Sequence, residues 1–204
     1  MGYAQKLPYY IQPEDYLLLE GKAEFKHEYL DGVIYGWQGE GPLAKYEGMV
    51  GGSVQHSQVI LNIALSLKVQ LQGTECMVLA TEVRVHKKDK SAYFYPDVVV
   101  TCSAVDRAQN THLTEPSLVV EVLSPSTEFF DRHDKFLAYR GIESLQSYVL
   151  VSPDSRTIEV FTHANHWAAA ASQPGKPVMD EESVNLGTSN LSLRVADVFE
   201  GLSR

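Results

Sequence analysis

"SLVVEVLSPSTEFFDRHDKFLAYRG", residues Ser117–Gly141, changes its period halfway along. Its first part is apolar and β-branched, as in a strand of a central sheet. From Ser126 or Thr127, either of which can cap a helix, the pattern turns helical and runs to about Arg140, with Gly141 at the exit. A buried strand feeding a helix sets an α/β reading of the chain. Inside the strand stands Glu121, between Val119-Val120 and Val122-Leu123. An unpaired carboxylate is costly to bury, and another valine would be the ordinary choice.

Upstream, "FYPDVVV" (Phe94–Val100) is a second apolar run with Asp97 at its head. Side chains alternate across a strand, so Glu121 shares a face with Val119 and Leu123, and Asp97 shares a face with Val99. If the two strands pair, the carboxylates meet on one side of the sheet. Like charges at short range take up a proton or a cation. A hard divalent ion with oxygen ligands, Mg2+ or Mn2+, answers that need, with the backbone carbonyl of Val122 available as a third ligand.

On the helix that follows, Glu128, Asp131 and Lys135 fall at i, i+3 and i+7 and line one face. Two assignments are open for Lys135. It returns to the metal if that face turns inward, or it forms a surface pair with Asp131 if the face turns out.

"QPEDYLLLEG" (Gln12–Gly21) has the acidic first turn and glycine exit of a short helix. "FKHEYLDGVIYGW" (Phe25–Trp37) reads as two strands around the Asp31-Gly32 turn. Gly36 to Gly52 holds six glycines but no Gly-Lys-Ser/Thr ending, so a connection or flap is expected there and not a phosphate loop. Ser53 can cap a helix over Val54–Leu71 whose apolar stripe is Ile60, Ile63, Ala64, Leu67 and Leu71, with His56 on the same side. Strands follow at Cys76–Leu79 and Glu82–His86. A hairpin around Pro153-Asp154, an edge strand in the irregular Asn165–Gly187 stretch, and a last strand with one helical turn complete the chain.

The 204 residues are 44 % hydrophobic and 21 % charged, enough for one domain with a real core. No apolar stretch approaches the roughly 20 residues that span a bilayer. Seventeen basic and 26 acidic side chains leave a net charge of −9, which speaks against a general polyanion binder without excluding a local basic patch. The one compact basic cluster, His86, Lys87, Lys88 and Lys90, is either a phosphate contact or a solvated turn. Two cysteines, Cys76 and Cys102, indicate neither a disulfide scaffold nor a cysteine-rich zinc site, and a bacterial cytoplasmic protein is the default. His163 and His166, three apart in a strand or turn, are weak evidence for zinc, Ser124 and Ser126 lack a histidine for a triad, and Tyr93, Phe94 and Tyr95 fit packing better than base stacking.

Taken together, "EYLDG", the histidine of "SVQHSQVI", "YFYPDVVV", "VVEVLSPST", "DRHDKFLAYR" and "SYVLV" resemble the Uma-type restriction endonuclease family of bacteria, within the PD-(D/E)xK nuclease superfamily. The resemblance runs from about Ile11 to Phe199. It implies a restriction-endonuclease-like α/β core, with a central mixed β-sheet flanked by helices, and a Mg2+-dependent nuclease-like site. Homodimers are implied as well. On this resemblance Asp97 and Glu121 are metal ligands, and Glu28 in "HEYLDG" is the family's recurring early acid. The superfamily places a lysine two residues after the glutamate, where this chain has Leu123. The Uma-type pattern moves it to the next helix, here Lys135. The expectation is one domain over residues 1–204, with an N-terminal helix and hairpin (about 11–37) packed on the core. Its function is expected to be Mg2+- or Mn2+-dependent phosphodiester hydrolysis, with DNA as substrate. Asp97, Glu121 and Lys135 carry the site, and Glu28 and His56 stand at its rim. The alternative is a catalytically degenerate nuclease fold that serves binding or assembly.

Overall fold

The computed structural model describes residues 10–36, 53–171 and 182–202. Most of the glycine-rich stretch after Gly36 lies outside them. The elements, in order, are α1 (Pro13–Glu20), β1 (His27–Leu30), β2 (Val33–Gly36), α2 (Val54–Gln70), β3 (Met77–Ala80), β4 (Arg84–His86), β5 (Ala92–Phe94) and β6 (Val98–Thr101). Then come α3 (Ala104–Arg107), β7 (His112–Leu113), β8 (Leu118–Val122), α4 (Glu128–Phe130), a π-helical turn (Asp131–Lys135) and α5 (Phe136–Tyr139). The chain continues through β9 (Ser147–Ser152), β10 (Thr157–Thr162), β11 (Ala169–Ala171), β12 (Ser183–Asn185), β13 (Ser192–Arg194) and α6 (Val195–Val198).

The α/β class with mixed sheets and flanking helices holds, but the strands are shared between two large sheets. One has the order β11-β10-β9-β8-β6-β3 and the other β2-β1-β5-β4-β7, with β12 and β13 forming a separate ribbon. "FYPDVVV" is not one strand. Pro96 has no N–H to give to a ladder, so β5 ends at Phe94 in the smaller sheet and β6 begins at Val98 in the larger. Asp97 stands at the joint between the sheets.

β8 lies in the interior of the larger sheet, antiparallel to β6 and parallel to β9, and all five of its residues are buried. Val120 and Val122 pack on the side covered by α2, in a core with Ile60, Ile63 and Leu67. Val119 and Leu123 pack on the other side with Phe130, Tyr139 and Tyr148. Glu121 alternates onto that second side, under the helical run from 128 to 139.

The two cysteines form a bond that the sequence did not show, without making a disulfide scaffold. Cys76 and Cys102 are bonded to each other, with their Cα atoms 4.1 Å apart and a sequence separation of 26. This is a single cross-strand bond and not a framework. It becomes visible only once β3 is paired with β6. Among the described residues no helix is long and apolar enough to cross a membrane.

Candidate active site

Continuing the register Val98↔Val120 by one step sets Asp97 opposite Glu121, so the two carboxylates share a sheet face. The Asp97 backbone N–H donates to Glu121 Oε2 at 3.4 Å, and the Val122 N–H donates to Asp97 Oδ2 at 2.7 Å. Asp97 is thereby anchored to the strand that carries its neighbour.

Lys135 comes from the helical run above this face and is 4 % exposed. Its Nζ lies 2.8 Å from Glu28 Oε1, 2.9 Å from Glu121 Oε1 and 3.5 Å from Asp131 Oδ1. The surface-pair assignment of Asp131 and Lys135 is overturned, because both residues are buried. The π-helical turn places Asp131 and Lys135 together on the inward side, a distortion that occurs often where helices carry function. Glu128 departs from the expected face. It points out and receives Arg132 Nε at 2.7 Å, while Arg132 Nη2 reaches the buried Glu159 at 2.8 Å.

Glu28 arrives from the smaller sheet. β1 pairs with β5 through Tyr29↔Tyr93, and the Tyr95 N–H donates to Glu28 Oε1 at 3.1 Å. The N-terminal hairpin therefore supplies a buried acid, which lies deeper than the rim position expected for it. His56, on the first turn of α2, lies beside Asp97. Its Nε2 is 2.8 Å from the Val122 carbonyl and 3.5 Å from Asp97 Oδ2. The carbonyl expected as a third metal ligand is thus already engaged by His56.

Burial raises the carboxyl pKa values of Glu28, Glu121 and Asp131, since one ammonium cannot compensate three anions in a site closed to water. The same carboxylates hold the Lys135 pKa well above its ordinary value, against its own desolvation. At His56 the neighbouring Asp97 and the Val122 carbonyl raise the pKa against the opposing effect of burial.

Two oxygens of this cluster lack hydrogen-bond donors among the described residues, Glu28 Oε2 and Glu121 Oε1. The Lys135 ammonium is close to Glu121 Oε1 but lies off the hydrogen-bonding direction. Tyr139, one helical turn beyond Lys135, also buries a hydroxyl without a partner, and packs on Phe94 at 5.0 Å and Tyr148 at 5.5 Å. Asp131 and Tyr139 are the members of this site that sequence reasoning did not select. For Asp131 the signal was its i, i+4 relation to Lys135.

The other motifs are structural. Ser124 accepts from the Thr127 N–H at 3.3 Å and helps start the helical run. Tyr93 and Phe94 are core residues, and the Tyr95 hydroxyl donates to Glu20 at 2.8 Å. His163 and His166 are exposed. Each lysine of the basic turn meets an acid: Lys87 with Asp89 at 3.2 Å, Lys88 with Glu115 at 2.5 Å and Lys90 with Glu14 at 3.2 Å.

With this geometry in view, the comparisons with known proteins take on structural meaning. The model of the Uma2 family, described as "Putative restriction endonuclease", matches residues 13–196. The chain belongs to the Uma2 family. That span contains every residue of the cluster, from Glu28 to Tyr139. Two relatives come from Synechocystis sp. (strain ATCC 27184 / PCC 6803 / Kazusa). The uncharacterised protein slr1290 is 34% identical over 196 residues, which is 95% of this chain and 93% of the relative. The uncharacterised protein sll1609 is 32% identical over 139 residues, 67% of this chain and 72% of that one. A crystal structure described as a putative nuclease belonging to DUF820, from Anabaena variabilis ATCC 29413, superimposes with a TM-score of 0.69 at 20% identity. It covers 93% of this chain and 97% of its own, so this Uma2 member shares its fold over nearly the full length.

Proposed function

We propose that this Uma2 protein is a metal-dependent endonuclease that hydrolyses phosphodiester bonds of DNA. It acts as one restriction-endonuclease-like domain over residues 1–204, in the cytoplasm and as a homodimer. The observation that carries the proposal is the excess of buried negative charge around Lys135. Glu28, Glu121 and Asp131 surround one ammonium, Asp97 adjoins them, and two carboxylate oxygens have no hydrogen-bond donor among the described residues. Buried polar atoms without partners are uncommon and call for an explanation, and a cation answers both the charge and the empty lone pairs.

The donor set fits a hard divalent ion. It is made of carboxylate oxygens, with no thiolate. Among the described residues no three His, Cys, Asp or Glu side chains form a ready cage. Mg2+ needs none, since it takes one or two carboxylates and keeps several waters. Asp97 and Glu121 are the residues that would hold Mg2+ or Mn2+, and the Val122 carbonyl is a third ligand if His56 gives it up. When bound, the ion supplies a water of lowered pKa and a polarised phosphoryl oxygen.

The chain's own residues supply the rest. Glu28 and Asp131 fix the Lys135 ammonium, so that its charge is already in place where negative charge develops on a phosphate, at no cost of reorganisation. His56 holds Asp97 in position from the outside.

One observation favours the rival, a nuclease fold retained for binding or assembly. The lysines of the compact basic turn are all paired with acids, in a chain of net charge −9. Calorimetric titration with Mn2+, together with single-turnover cleavage of supercoiled plasmid, separates the two. The nuclease proposal expects Mn2+ binding that is lost in Glu121→Gln, and cleavage that is lost with it. Wild-type protein that binds Mn2+ but cleaves no plasmid, single-stranded DNA or RNA would favour the rival. Failure to bind Mn2+ at all would remove the metal site.

A further inference from the structure

β3 is an outer strand of the larger sheet and, among the described residues, pairs with β6 alone. Its residues are only partly buried, whereas all four of β6 are buried. The two ends of β3 are fastened differently. At its start the register Met77↔Thr101 extends by one step to Cys76 and Cys102, the only cysteines of the chain, which are bonded to each other. At its end the Thr81 N–H donates to the Asp97 carbonyl at 3.1 Å. Thr81 does so at a φ of 56°, a left-handed conformation that is costly for a β-branched residue. A covalent bond thus secures one end, and a strained residue holds the other against the backbone of Asp97.

A second, non-covalent clasp spans the cysteines. Arg107 Nη1 donates to the Cys102 carbonyl at 2.9 Å and to the Glu75 carbonyl at 3.2 Å, and its Nη2 donates to the Glu75 carboxylate at 2.8 Å. This guanidinium holds the residue before Cys76 against Cys102 itself, whether or not the sulfurs are joined. Both cysteines are half-buried.

We infer that Cys76 and Cys102 form a reversible redox latch on β3, which couples the thiol–disulfide state to the backbone that carries Asp97. Reduction takes two electrons and two protons from a dithiol. The Cys76–Cys102 bond breaks, both sulfurs become thiols, and the dithiol closes to its own disulfide. The edge strand then keeps the Arg107 clasp at its start but loses its covalent tether, so its ladder to β6 opens more often, from the strained Thr81 end inward. The clasp keeps the thiols together, so that a small disulfide such as oxidised glutathione restores the bond.

The test uses the full chain with and without dithiothreitol. Iodoacetamide labelling read by intact mass is expected to add nothing to the unreduced protein and two groups to the reduced one. Hydrogen exchange read by mass spectrometry is expected to speed up over residues 77–81 by roughly tenfold or more on reduction, with β8 unchanged, since local opening sets the exchange rate. Oxidised glutathione should reverse both effects. Cys76→Ser should exchange like the reduced protein and show no response to dithiothreitol. A severalfold weaker affinity for Mn2+ in the reduced state is expected too, an arm that rests on Asp97 as a metal ligand. Altered exchange without Mn2+ binding in either state would uphold the latch and remove the metal proposal. Two labels on unreduced protein, or equal exchange over residues 77–81 in both states, would overturn the latch.

Discussion

Replacing Lys135 with methionine keeps most of the stem volume and removes the ammonium from among Glu28, Glu121 and Asp131. Removing one partner of a buried ion pair leaves charge uncompensated and costs about 3–5 kcal/mol. The carboxyls can relieve this by binding protons, so the loss should be largest near pH 8 and smaller near pH 5. Urea unfolding at the two pH values measures it. A loss of under about 1 kcal/mol at pH 8 is what a surface pair would give, and would contradict the buried arrangement. Single-turnover cleavage in Mn2+ should fall by roughly 10²-fold or more if the charge serves the transition state. Tyr139→Phe acts in the opposite direction on stability. It removes a buried hydroxyl that has no partner among the described residues and leaves the packing on Phe94 and Tyr148 in place. An unmade hydrogen bond of this kind costs about 1–3 kcal/mol, so the thermal midpoint should hold or rise. A clear fall would mean that the hydroxyl is bonded in solution, to water or to an ion.

At the level of elements, the helical run from 128 to 139 carries Lys135 inward and is pinned to the larger sheet by Arg132 and Glu159. Glu159 lies on β10 opposite Leu150, which lies opposite Glu121, so both acids are on one row of the sheet. A double-mutant cycle with Arg132→Met and Glu159→Gln should give a coupling of about 1 kcal/mol or more, moderated because Arg132 is partly exposed. Additive effects would mean that the pair does not hold the run. The sequence already contained the opposition of Asp97 and Glu121, because period-two alternation and two valine-rich strands leave few registers. It contained the stripe of α2, whose Ile60, Ile63, Leu67 and Leu71 are buried as expected. The direction of Lys135 was not legible. A spacing of four residues is the same for a surface pair and for a π-helical turn with both side chains inward, and only packing against β8 decides between them. The depth of Glu28 was not legible either, since its approach depends on a second sheet that begins where Pro96 breaks the ladder. The bond between Cys76 and Cys102 depends on which strand takes the sheet edge, and local pattern does not carry that information.

For the whole molecule, the buried carboxyls tie stability to pH, and the proposed metal site would tie it to metal as well. Folding raises the pKa values of Glu28 and Glu121 above the ordinary 4.5 and that of Asp131 above 3.8. From those values upward the folded chain holds protons that the unfolded chain has released. More protons bound in the folded state means that stability falls as pH rises through this window, up to the raised values. The Lys135 shift does not reverse this, because its proton stays on in both states until the pH approaches 10.5. The metal-free protein should therefore be more stable near pH 5 than near pH 8 as far as this cluster decides. On the proposed metal site, a divalent ion would bind the deprotonated carboxylates of the folded state only, so its stabilisation should increase with pH and its binding should release protons. Thermal melts from pH 5 to 8, with and without excess Mn2+, are expected to diverge as pH rises. Titrations in two buffers of different ionisation enthalpy would register the released protons. Glu121→Gln removes one of these acids and should flatten the pH dependence without metal while shrinking the Mn2+ effect. Parallel melts across the whole range, with no proton release, would show that divalent ions do not compete with protons for this cluster, and the metal-dependent proposal would fall with that result.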